Sequence, residues 1–134
     1  GMYPLLEMLE QNQIPWGIVT NKPRNLSESL LEALNLQQRC SVLVCPDDVT
    51  HAKPHPEPMF LAAKQLQIDP EQIIYVGDHP RDIEAGRNAD MYTILAAYGY
   101  LPEQHRDDLQ AWQADCIIDT VQQLHHVLQQ QLAI

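Results

Sequence analysis

The sequence lacks most of what would tie a chain to a membrane, to nucleic acid or to a disulfide scaffold. It has three cysteines, Cys40, Cys45 and Cys116, with no CxxC pair. The odd count and the spacing exclude a disulfide framework and a four-cysteine zinc site, so reduced thiols in a cytoplasmic protein are expected. No apolar run approaches the ~20 residues of a membrane span, and no basic flank leads into an apolar run as in a signal peptide. Cations are scarce: 8 Lys plus Arg against 18 Asp plus Glu give a formal charge of −10. A nucleic-acid backbone or an anionic bilayer needs a basic face, so neither partner is expected. A phosphorylated small molecule remains compatible only where a local cation reverses the field.

What is present is the composition of a globular domain. The 134 residues are 45% hydrophobic and 19% charged, which suffices for one domain, 1–134, with its own core. Apolar spacing predicts a helix over 3–13, with Leu5, Leu6, Met8 and Leu9 on one face. A strand follows at 16–20. The next helix opens near Pro23, and its Leu26, Leu30, Ala33 and Leu34 at i, i+4, i+7 and i+8 are expected to face the core. Strands are predicted at 42–45, 73–76 and 92–96, with helices continuing through Leu66 and over 80–88. In the latter, Ala85, Gly86 and Ala89 allow close packing on a sheet. Tyr98-Gly99-Tyr100 starts a loop, a weak helix lies around Leu109–Trp112, Cys116–Ile118 forms a short edge strand, and a last amphipathic helix carries Val121, Leu124, Leu128 and Leu132.

Strands alternating with helices predict an α/β fold with a mostly parallel sheet, whose ligands sit beyond the carboxyl ends of the strands. Polar residues just after strands are therefore the candidates. Asp78 and Asp82 lie one helical turn apart in Gly77-Asp78-His79-Pro80-Arg81-Asp82. Such a pair suits a hard cation such as Mg²⁺. It equally suits a helix start, with Asp78 as cap and Asp82 favoured by the helix dipole. Lys53 sits in the proline-rich Ala52-Lys53-Pro54-His55-Pro56-Glu57-Pro58, where a stiffened backbone fits an ammonium that pairs with a carboxylate or a phosphoryl group, or a solvated surface lysine. Thr20-Asn21 joins a strand to a helix, a place that binds phosphate oxygens or merely turns the chain. Cys45, His51 and His55 offer only three possible zinc ligands in a proline-rich loop, and solvated histidines account for them better.

Taken together, VTNKP at 19–23, AKPHPEP at 52–58 and IYVGDHPRDIEAG at 74–86 resemble, in order, three motifs of the haloacid dehalogenase-like hydrolase superfamily, and within it the phosphoglycolate phosphatase group. The resemblance implies a three-layer, Rossmann-like core and Mg²⁺-dependent hydrolysis of a phosphate monoester on a small metabolite, phosphoglycolate-like or a sugar phosphate. It implies that Thr20 and Asn21 bind the phosphoryl group, that Lys53 neutralises its charge, and that Asp78 and Asp82 hold Mg²⁺, Asp78 more directly. The family's first motif, DxDGT, carries the nucleophile on the central strand and is followed by a helical cap. No such motif occurs here, so the chain is expected to be a partial core, inactive alone. The alternative is a non-catalytic interaction or phosphate-binding module. A phospho-accepting receiver is disfavoured, because there the metal acids come first and the lysine last.

Without the central strand, the strands at 16–20 and 73–76 either pair directly or stand about two strand spacings (~9.6 Å) apart. In the second case a neighbouring chain is expected to enter the gap, by homo-oligomerisation or strand exchange.

Overall fold

The structure, a computed structural model, describes residues 2–97 and 112–134. Helix α1, Met2–Gln11, buries Leu5, Leu6 and Leu9. Strand β1 is Gly17–Val19, helix α2 Arg24–Ala33 and strand β2 Val42–Val44. A single 3-10 turn at Pro46–Asp48 opens the proline-rich segment, which ends at helix α3, Glu57–Leu66. Strand β3, Ile74–Gly77, helix α4, Pro80–Asn88, and strand β4, Tyr92–Ala96, follow. Strand β5, Cys116–Ile118, and helix α5, Val121–Leu132, complete the order. The expected loop at 98–100 and all of the weak helix except Trp112 lie outside the described residues.

The units β1-α2-β2 and β3-α4-β4 pair their strands in parallel, as a helical crossover requires, and β4 pairs in parallel with β5. β1 aligns Gly17 with Val42 and Val19 with Val44; β3 aligns Ile74 with Tyr92; β4 aligns Ile94 with Cys116. The strands form two sheets, β1-β2 and β3-β4-β5, not one. Direct pairing of β1 with β3, one of the two expected outcomes, is therefore not found. Side chains join the sheets instead: the Tyr75 hydroxyl of β3 donates to the Val19 carbonyl of β1 at 3.2 Å. All four β3 residues stay half-buried, whereas Thr93 to Ala96 of β4 are buried.

Alternation along the strands sorts side chains onto two faces. Ile18, Ile74, Val76, Ile94, Ala96 and Ile118 pack with α1 and α5 through Leu5, Leu9, Leu124 and Leu128. On the opposite face Val19 and Tyr75 pack with Met59, Ala63 and Ala85 of α3 and α4. These are the helix, sheet and helix layers of an α/β core. Gly86 lets α4 approach β4 closely, since a Cβ there would lie 2.7 Å from Thr93 Cγ2. Among the described residues no helix is long and apolar enough to cross a membrane.

One expectation about α2 is overturned. Its buried residues are Ser27 and Leu31, while Leu26, Leu30 and Leu34 are 54%, 48% and 42% exposed. The cause is polar anchoring of the other face. Arg24 donates from Nη2 to the Leu43 carbonyl and to Asp48, and its backbone N–H donates to Asp47 Oδ1. Ser27 Oγ donates to the Pro23 carbonyl. The Arg24 bonds hold that end of α2 to β2 and the turn after it, Leu31 packs into the core with Leu5 and Leu36, and the leucine row is left outside.

Candidate functional site

The polar residues that follow β1 and β3 meet the proline-rich segment at one end of the sheets. Thr20 extends the parallel ladder by one step, its N–H donating to the Val44 carbonyl at 3.0 Å, and its hydroxyl accepts from Lys22 N. Asn21 Nδ2 donates to the Lys53 carbonyl at 3.3 Å, tying the turn after β1 to the lysine. The Lys53 side chain, 6% exposed, runs inward and donates from Nζ to Asp82 Oδ1 at 2.6 Å, Tyr75 Oη at 2.9 Å and the Val19 carbonyl at 3.2 Å. The alternative of a solvated surface lysine is thereby excluded.

Asp82 sits in the first turn of α4, which His79 caps. The His79 ring accepts from Arg81 N, and Asp82 Oδ2 accepts from both Asp78 N and His79 N at 3.2 Å. This is a reciprocal capping box. Gly77 makes it fit: a Cβ there would lie 2.4 Å from Asp82 Cβ. One oxygen of Asp82 thus holds the backbone and the other holds Lys53. The helix-start reading holds for Asp82 but not for Asp78: the cap is His79, and Asp78 contributes only its backbone N–H. Asp78 is half-buried, and its carboxylate makes no hydrogen bond or ion pair among the described residues.

The donor set fits Mg²⁺, which is commonly held by one or two carboxylates together with water and phosphate oxygens. Asp78 offers such a carboxylate beside the engaged Asp82. Among the described residues no three or more His, Cys, Asp or Glu side chains are grouped as a metal site would need, and Cys45, His51 and His55 are not gathered into one. The His51 and His55 rings lie 4.7 Å apart, and the loop is closed by Glu57, which accepts from Thr50 N and His51 N. Asp47 and Asp48 likewise serve α2, and the Arg24 guanidinium holds the Asp48 carboxyl below its usual range.

Sequence reasoning missed Tyr75. Burial, with Asp82 and Asp78 nearby, pushes its hydroxyl well above the usual tyrosine range, so it stays protonated and donates. The signal was available: a tyrosine alternating with Ile74 and Val76 in a strand points to the opposite face and needs a polar partner there.

Residues 1–96 match the model of a family described as haloacid dehalogenase-like hydrolase. The chain is 44% identical over 133 residues to an N-acetylmuramic acid 6-phosphate phosphatase of Pseudomonas aeruginosa, an alignment covering 98% of this chain and 58% of that protein. It is 43% identical over 124 residues to a phosphoglycolate phosphatase of Xanthomonas campestris pv. campestris, covering 92% of this chain and 55% of that one. A solved structure of a predicted phosphoglycolate phosphatase from Haemophilus somnus superposes with a TM-score of 0.84 at 26% identity, covering 95% of this chain and 55% of that chain. A hydrolase of the same superfamily from Ehrlichia chaffeensis shares the fold, with a TM-score of 0.81 at 22% identity, over 98% of this chain and 58% of that chain. The chain therefore spans a little over half the length of the relatives it matches.

Proposed function

The chain belongs to the haloacid dehalogenase-like hydrolase family, in its phosphoglycolate phosphatase-like group, and from that premise we propose that it forms the phosphate- and metal-binding side of a phosphatase site. The substrate class is a phosphate monoester of a small metabolite, phosphoglycolate-like or a sugar phosphate. One observation carries the reading: Lys53 is buried, paired with Asp82, and tied through Asn21 to the turn after β1. An acidic chain thereby holds a fixed cation where strand ends and a helix start converge.

In this reading the Thr20 hydroxyl and the Asn21 amide donate to phosphoryl oxygens, and Lys53 opposes their charge in a setting of reduced dielectric. Asp78 would hold Mg²⁺, and Asp82 acts from behind by orienting Lys53 and the Asp78 backbone. Mg²⁺ when bound supplies Lewis-acid neutralisation of the phosphoryl oxygens. The 134 residues contain no DxDGT segment, so we propose that they do not complete turnover by the family's covalent route without an aspartate from elsewhere. A cytoplasmic setting accords with three free cysteines.

Calorimetric titration with inorganic phosphate in the presence of Mg²⁺ tests the reading. Wild-type chain is expected to bind, and Thr20→Val and Asp78→Asn each to weaken binding about tenfold. An aryl phosphate assay with the same samples is expected to show no turnover. Metal-dependent hydrolysis abolished by Asp78→Asn would overturn the proposed inactivity while leaving the site assignment standing.

A further inference from the structure

An ammonium group has three N–H donors and accepts nothing. Around Lys53 Nζ stand three acceptors: Asp82 Oδ1, Tyr75 Oη and the Val19 carbonyl. The Tyr75 hydroxyl, having accepted from Nζ, sends its own proton to the same Val19 carbonyl. Val19 is thus supplied by two donors, while Lys53 has none to spare. With its side chain only 6% exposed, Lys53 can turn a proton toward an arriving oxyanion only by releasing one of the three partners.

The three releases are unequal. Leaving Asp82 separates a buried charge pair, which is the costly choice. Leaving Tyr75 surrenders the only lysine bond that the hydroxyl receives. Leaving Val19 strands nothing, because the Tyr75 hydroxyl still satisfies that carbonyl. We propose that Tyr75 is a positioning residue of the phosphate site: it holds the Val19 carbonyl while Lys53 turns one proton to a bound oxyanion, and it keeps the ammonium aimed between Asp82 and that ligand. The proposal rests on the phosphate-site reading given above. Tyr75 reaches this place through the alternation of β3, its ring packed with Met59 and Ala85 and its hydroxyl directed at β1. Lys53 Nζ lies 5.5 Å from the ring centroid, so the ring as well as the hydroxyl of Tyr75 faces the ammonium.

Tyr75→Phe removes the hydroxyl and retains the ring, so folding can be verified by thermal denaturation alongside binding. In the titration with inorganic phosphate and Mg²⁺, Tyr75→Phe is expected to weaken affinity about five- to tenfold, through the carbonyl left without a donor when Lys53 turns away. Proton-exchange NMR of the Lys53 ammonium is expected to show faster exchange in Tyr75→Phe and unchanged exchange in Thr20→Val, a difference that loss of packing alone would not produce. Wild-type binding with unchanged affinity in folded Tyr75→Phe overturns the role of Tyr75 and leaves the phosphate site intact. A wild-type chain that binds no phosphate overturns the phosphate-site reading itself, and the role of Tyr75 with it.

Discussion

Asp78 and Asp82 are the same residue type four positions apart, yet their surroundings give them different work. Asp82 is buried, caps α4 through two backbone N–H groups and pairs with Lys53 at 2.6 Å. Removing it strands a buried ammonium and two helix-start donors at once. Asp82→Ala is therefore expected to cost about 3 kcal/mol or more in a urea melt. Asp78→Ala leaves all of those bonds in place and is expected to change stability by less than about 1 kcal/mol. Equal losses from the two substitutions would show that the capping and pairing roles had been misassigned. The motif spacing made the pair visible in the sequence. That Asp82 spends both oxygens on protein partners was not visible, because one partner lies 29 residues away.

Helix α2 shows how far a periodic pattern reaches. Leu26, Leu30 and Leu34 do lie on one face, as their spacing requires, but the anchoring of Arg24 and the burial of Leu31 turn that face outward. Periodicity identifies an apolar row; the polar anchors on the neighbouring row decide which way it faces. The Arg24–Asp48 pair gives this anchoring a pH signature. Arg24 depresses the Asp48 pKa in the folded state, so the pair's contribution is present above the unfolded carboxyl value, about 3.9, and is lost as pH falls through the lower folded value. Arg24→Met is thus expected to reduce stability at neutral pH, and the gap from wild type should narrow on acidification below about pH 4. Denaturation midpoints measured across that range check the sign; a gap that widens at low pH would contradict it. By contrast, α4 matches its predicted bounds of Pro80 to Asn88, because Pro at its first position and small residues on its inner face are local signals.

The whole molecule is an α/β core divided along its middle. β1 and β3 each have one strand partner among the described residues, and only side chains cross between them. Unpaired strand edges invite another strand, so sedimentation over a dilution series is expected to show self-association of the chain; a monodisperse monomer throughout would contradict strand entry from a neighbouring copy. Local chemistry along the chain was enough to establish helix and strand types, the parallel α/β class, and Thr20, Asn21, Lys53, Asp78 and Asp82 as candidates, and the resemblance of three segments to known motifs pointed to the family. Periodicity, turn residues and motif spacing all act over a few residues, and they survive in a linear reading. The split between sheets, the outward leucine row and the Lys53–Tyr75–Val19 arrangement belong to the folded chain alone. The hydrogen bonds of that arrangement close over 22 to 56 residues, and such bonds exist only once packing has set where β1, β3 and the proline-rich segment stand relative to one another.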